Sequence, residues 1–308
     1  METINYKEII KKYPWIISPG QECILSPDAD GFLSGLLMSS FLGWKIVGFY
    51  DGKVLLKDRS LDINNVVFLD MEILRPGVKS IGHHMNVHNF RTDQSLIEKM
   101  FNETINPNYI RGFDRCHNFR QKYPLGTIHL LLFILDSKNI NVKINPEGLG
   151  AIFFADGTWK VLFNYTQNVF DWLKYLDAKH DKGWIRELQS ISVIKLIEEL
   201  ESLFNQMAQI HPNNKRWYGH IDLYQYYENH NLMIKFLELL SSNLGWNFDY
   251  DLWKLNNLEK FEMQKKIATA RGEMGFRDVL AEGPISLAMT NSNDIQYTVD
   301  NIGLFKSV

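Results

Sequence analysis

The chain has 308 residues, of which 45% are hydrophobic and 22% charged. At about 100–200 residues per domain, this describes two folded domains and excludes a mainly disordered chain. Lys and Arg total 33 against 36 Asp and Glu, a net charge of −3, so no bulk positive field points to nucleic acid and only a local basic groove would serve one.

The two cysteines, Cys23 and Cys116, are too few for a disulfide framework and form no CxxC pair. A reducing, cytoplasmic setting is therefore expected. The first residues lack the apolar core of a signal peptide, and the longest apolar stretches, around 33–44 and 128–135, are too short to span a bilayer.

In chain order, residues 22–26 (ECILS) form a short apolar run ending in turn residues, and 31–42 (GFLSGLLMSSFL) are long enough for a buried helix. Residues 45–50 (KIVGFY) are β-prone and run into the turn signal Asp51-Gly52. Residues 66–69 (VVFL) read as a buried strand and 79–81 as another. Helices are expected over 93–101 and 125–135, with an Asn/Pro turn at 106–108 and a short apolar segment at 149–154. This alternation predicts α/β units around a mainly parallel sheet.

After about residue 165 the texture changes. Residues 185–209, 223–240 and 252–270 carry apolar residues at helical spacing, with Leu196, Leu200, Leu203 and Met207 on one face. Two β-prone pieces, 285–289 and 295–299, flank the turn-like 290–294. The expected organisation is an α/β domain over 1–165 and a mainly helical domain with a few short strands over 166–308, the boundary lying loosely at 166–184.

Four places carry chemistry. Asp28-Ala29-Asp30-Gly31 follows the first apolar run. Carboxylates at i and i+2 leave a strand end close together and suit Mg²⁺ or Mn²⁺, although a turn with a helix N-cap has the same composition. Asp70 closes the 66–69 run, where open α/β sheets place their ligands; a loop acid is the alternative. Gly82-His83-His84-Met85-Asn86 follows 79–81; adjacent histidines after a strand point in different directions, one toward a metal and the other toward a phosphate, unless they are a plain surface pair. Asp156, in Ala155-Asp156-Gly157-Thr158, repeats the pattern of an acid after an apolar segment, or is a β-turn. Together the four suggest a two-metal site on one sheet edge, of the kind that clamps attacking and leaving oxygens in phosphoryl transfer.

This series, from Asp28-Ala29-Asp30-Gly31 through Asp70 and Gly82-His83-His84 to Ala155-Asp156-Gly157-Thr158, resembles the four motifs of the DHH phosphoesterases over about residues 20–160. That superfamily includes RecJ-type single-strand exonucleases, oligoribonucleases, cyclic dinucleotide phosphodiesterases and family II inorganic pyrophosphatases. The resemblance implies Asp28 on a first metal ion, Asp30, His83 and Asp156 on a second, Asp70 bridging both, and His84 on the scissile phosphate, with Asn86 beside it. Asp114 competes with Asp156 for the last place. Two positions depart from the family. Ile24 and Ser26 stand where it has a further ligand before the acid pair, and Gly82 stands where the DHH signature has Asp. An aspartate there supports the following histidine, which predicts stronger metal binding for Gly82→Asp.

The family's companion domain often carries a Gly-rich motif. Its nearest counterpart here, Arg271-Gly272-Glu273-Met274-Gly275-Phe276-Arg277, offers Arg271 and Arg277 for phosphates, or is a glycine-capped helix end after 252–270. Lys215-Arg216-Trp217-Tyr218 suits single-stranded nucleic acid, or is a loop around a packing tryptophan. The resemblance implies a Mn²⁺- or Mg²⁺-dependent hydrolase, an exonuclease or oligoribonuclease acting on nucleic acid ends or short oligonucleotides. Its alternative is a weakened DHH fold serving as a scaffold for nucleic acid or a protein partner.

Overall fold

A computed structural model describes residues 3–177, 190–214, 217–269, 272–289, 291 and 294–305. The fold is α/β. Ten strands are described: β1 (Glu22–Leu25), β2 (Lys45–Tyr50), β3 (Val54–Lys57), β4 (Val67–Leu69), β5 (Lys79–Ile81), β6 (Thr104–Ile105), β7 (Glu259–Glu262), β8 (Gln264–Thr269), β9 (Pro284–Met289) and β10 (Asp294–Val299). Seven form one sheet in the order β6-β5-β4-β1-β2-β3-β7, and three form a second in the order β8-β10-β9.

The parallel part of the large sheet explains where the motifs end. β1, β4, β5 and β6 pair in parallel with Leu25 opposite Leu69, Leu69 opposite Ile81, and Ile81 opposite Ile105. The four strands therefore stop at one level. Whatever follows each of them, Ser26, Asp70, Gly82 and Asn106, lies along one carboxyl edge, the edge at which open α/β sheets bind ligands.

The chain divides into two compact units, each assembled from separated stretches. One comprises Gln21–Ser26, Val47–Tyr123 and Leu255–Val308. Its interior includes Ile24, Tyr50, Leu55, Phe68, Ile73 and Ile285, all buried, and a second cluster around Phe101, Phe276 and Tyr297. The other comprises Met1–Gly20, Pro27–Ile46 and Pro124–Lys254. It is helical. Helix Ala29–Leu42 packs on helix Thr127–Ser137, and Phe32 meets Phe236 of helix Tyr226–Leu244 edge to face at 5.9 Å. Leu196, Leu200, Leu203 and Met207 are buried on one face of helix Val193–Ile210, as their spacing predicts. Of the boundary expected at 166–184, residues 178–184 lie outside the described residues.

Three local expectations change. Residues 252–269 are not a helix: 259–262 and 264–269 are β7 and β8, and residue 270 lies outside the described residues. Glu, Lys and Gln favour helix in isolation, but β7 pairs antiparallel with β3 at the sheet edge, where a charged strand is tolerated because it faces water. The segment after it begins a helix, Gly272–Ala281, instead of capping one; Arg277 is exposed on it, and Arg271 lies outside the described residues. Residues 106–108 begin the short helix Pro107–Ile110, whose first turn is capped by the Asn106 side chain. Among the described residues no helix is long and apolar enough to cross a membrane.

Candidate metal centre

Asp28 does the local work its composition suggests. It caps helix Ala29–Leu42, its carboxylate accepting from the Gly31 amide at 3.0 Å. Asp30 lies in the first turn of the same helix and is 3% exposed. Its carboxylate accepts from the backbone amides of Thr127 (2.6 Å) and Ile128 (2.9 Å), the N-terminal donors of helix Thr127–Ser137. The N-terminal end of a helix favours an anion, so this charge is stabilised where it is buried. Gly126 makes the approach possible: a Cβ there would stand 2.6 Å from Asp30 Oδ2.

Asp70, 5% exposed, is the first residue past β4 and has a left-handed backbone, φ 65°. Aspartate, with asparagine, is among the few non-glycine residues that take up this conformation routinely. The Asp70 amide donates to Ile81 O at 2.8 Å, which anchors it beside the end of β5. His83, 6% exposed, places Nδ1 3.4 Å from Asp70 Oδ1.

Asp30, Asp70 and His83 each offer a ligand atom, and these atoms all lie within 4.8 Å of one another. This buried group could hold a metal ion. Two carboxylate oxygens and an imidazole nitrogen are donors of the kind that coordinate a metal ion. The two amides on Asp30 would act as the outer contacts that orient a ligating carboxylate.

Two of the expected ligands, Asp28 and Asp156, are not members of that group. Asp156 follows a helix, Leu149–Phe154, rather than a strand, and is exposed in a left-handed conformation at φ 49°. With Asp28 and Asp30 it lines a cleft of ≈ 400 Å³. Asp114 is buried as the N-cap of helix Arg115–Asn118, accepting from the His117 amide at 2.8 Å.

The histidine pair does not diverge. The His83 and His84 rings are stacked, centroids 4.5 Å apart at 24°. Alternation of side chains holds only while the chain stays in the sheet, and β5 ends at Ile81. His84 is the half-exposed member of the pair, and its Nδ1 lies 3.4 Å from Glu72 Oε2. Asn86 is 1% exposed and its carboxamide oxygen accepts from the Tyr109 hydroxyl.

Three polar residues around the histidines were missed by sequence reasoning. Glu72 Oε1 accepts from the His84 amide at 2.9 Å and from Asn106 Nδ2 at 2.6 Å. Asn106 Nδ2 also donates to His84 O at 2.8 Å, and Asn108 Nδ2 donates to His83 O at 2.9 Å. A signal for Glu72 was present: Asp70-Met71-Glu72 repeats the acid-x-acid spacing after a strand that singled out Asp28 and Asp30.

No family model, no curated protein and no solved structure matches this chain.

Proposed function

We propose that this chain is a divalent-metal-dependent phosphoesterase of the DHH type, acting on nucleic acid ends or short oligonucleotides. The observation that carries the reading is the buried Asp30, Asp70 and His83 group at the ends of the motif-bearing segments. Mn²⁺ or Mg²⁺ held there would lower the pKa of water and offset negative charge on a phosphate. Asp70 and His83 would hold the ion. Asp30 would do so as well, kept in place by the Thr127 and Ile128 amides. His84, half-exposed beside them, would donate to a phosphate oxygen. In the reaction, water adds to phosphorus, the bond to the ester oxygen breaks, and that oxygen leaves with a proton.

The cleft beside Asp30 supports a nucleotide as substrate. Besides its three acids it is lined by Trp159, Lys160 and Tyr218, and Lys160 Nζ lies 5.3 Å from the centroid of each ring. Tyr218 belongs to the motif noted above for single-stranded nucleic acid; Trp217 is instead buried against Phe236, and 215–216 lie outside the described residues. Aromatic faces beside a cation are the usual means of holding an unpaired base and its phosphate. Trp159→Ala is expected to weaken oligonucleotide binding by about 1–3 kcal/mol, the worth of one stacked base. Mn²⁺ affinity should stay unchanged, and parallel fluorescence and metal titrations would separate the two effects.

A specific observation favours a scaffold as the second reading: Asp30 already serves as the cap of helix Thr127–Ser137. Mn²⁺ titration of the full chain, with hydrolysis of short oligonucleotides followed in parallel, decides between the two. Saturable Mn²⁺ binding with metal-dependent product is the expected result. A chain that binds no Mn²⁺ leaves the scaffold.

A further inference from the structure

We propose that Glu72 is a positioning residue for the histidine pair, its carboxylate occupying the space that a side chain at position 82 would otherwise fill. The inference rests on the phosphoesterase reading for what the histidines do, but its geometry stands alone. A Cβ built on Gly82 would lie 2.5 Å from Glu72 Oε1 and 2.6 Å from its Cδ, so the two positions compete for one volume. Glu72 is 3% exposed, and a carboxylate at such depth needs hydrogen-bond donors around it.

The donors it has are those that set the histidines. One oxygen takes the His84 amide and the Asn106 side chain, and the other faces His84 Nδ1. The carbonyls of His83 and His84 are held by Asn108 and Asn106, and Asn106 Oδ1 in turn accepts from the Asn108 amide at 2.8 Å. Glu72 thus fixes the His84 backbone and ring. The ring stack carries that orientation to His83, whose Nδ1 faces Asp70. This reverses the simple expectation for Gly82→Asp. A second carboxylate does not add support; it collides with the first.

The test is an exchange of the carboxylate between the two positions in the full chain. Glu72→Ala and Gly82→Asp should each lower Mn²⁺ affinity, by about 10–100-fold for loss of a contact that orients a ligand. The double variant Glu72→Ala/Gly82→Asp should recover most of the wild-type affinity. Long-range ¹⁵N–¹H spectra of the imidazoles give a readout that needs no metal. His83 and His84 signals should shift in both single variants and return toward wild type in the double. Glu72→Ala with unchanged imidazole signals, or a double variant no better than either single one, overturns the proposal. If the wild type binds no Mn²⁺ while the imidazole signals follow the exchange, the phosphoesterase reading fails and the positioning role of Glu72 survives.

Discussion

Asp70→Asn is expected to lower Mn²⁺ affinity by more than about 100-fold, beyond the range for loss of an outer contact, and to abolish any metal-dependent hydrolysis. The substitution keeps the size of the side chain and removes its charge. Asparagine is chosen over alanine because Asp70 has φ 65°, a left-handed conformation that asparagine adopts readily and alanine does not. The Asp70 amide would still reach Ile81 O, so the end of β4 should keep its shape. Thermal unfolding should therefore move little while binding collapses. His83→Ala should behave alike, because the pair meets at 3.4 Å within the same buried group. Wild-type Mn²⁺ affinity in Asp70→Asn would remove Asp70 from the site and the metal centre with it.

Gly126→Ala should damage both stability and metal binding through a single methyl group. The new Cβ would stand 2.6 Å from Asp30 Oδ2 and 2.9 Å from its Cγ. Asp30 would be driven off the Thr127 and Ile128 amides, leaving two buried donors without their acceptor. Each such loss costs about 1–3 kcal/mol. A carboxylate displaced from those donors would also stand away from Asp70 and His83, so Mn²⁺ affinity should fall by at least about 10-fold. Calorimetric unfolding with and without Mn²⁺ reads both effects, since an ion bound only to the folded state raises the midpoint. Asp30→Asn is the companion variant. It keeps an oxygen for one amide, and should lose more affinity than stability. A Gly126→Ala chain that melts and binds as the wild type does would mean that Asp30 is not pinned in the way its hydrogen bonds indicate.

The sequence by itself determined the strands that end in chemistry. Residues 22–26 and 66–69 are apolar enough to be buried, these runs and the β-prone 79–81 are short enough to be strands, and each stops at a turn residue or an acid. Parallel strands in a common register must then deliver Asp70 and Gly82 to one edge, with Asp28 and Asp30 just beyond Ser26. The face of helix Val193–Ile210 was equally legible, because a helix buries every third or fourth residue whatever it packs against.

Only the tertiary structure decided which of the singled-out residues meet. Asp30, Asp70 and His83 come together, whereas Asp156 follows a helix and lies outside their group, a distinction that a short apolar run cannot make. The strands at 259–262 and 264–269 were hidden because their charged residues favour helix locally, and only pairing with β3 and β10 makes them extended. Glu72 was hidden for a related reason. Its meaning comes from the space above Gly82, ten residues further along the chain, and a side chain's neighbours across a sheet edge are set by strand register, which no local pattern records.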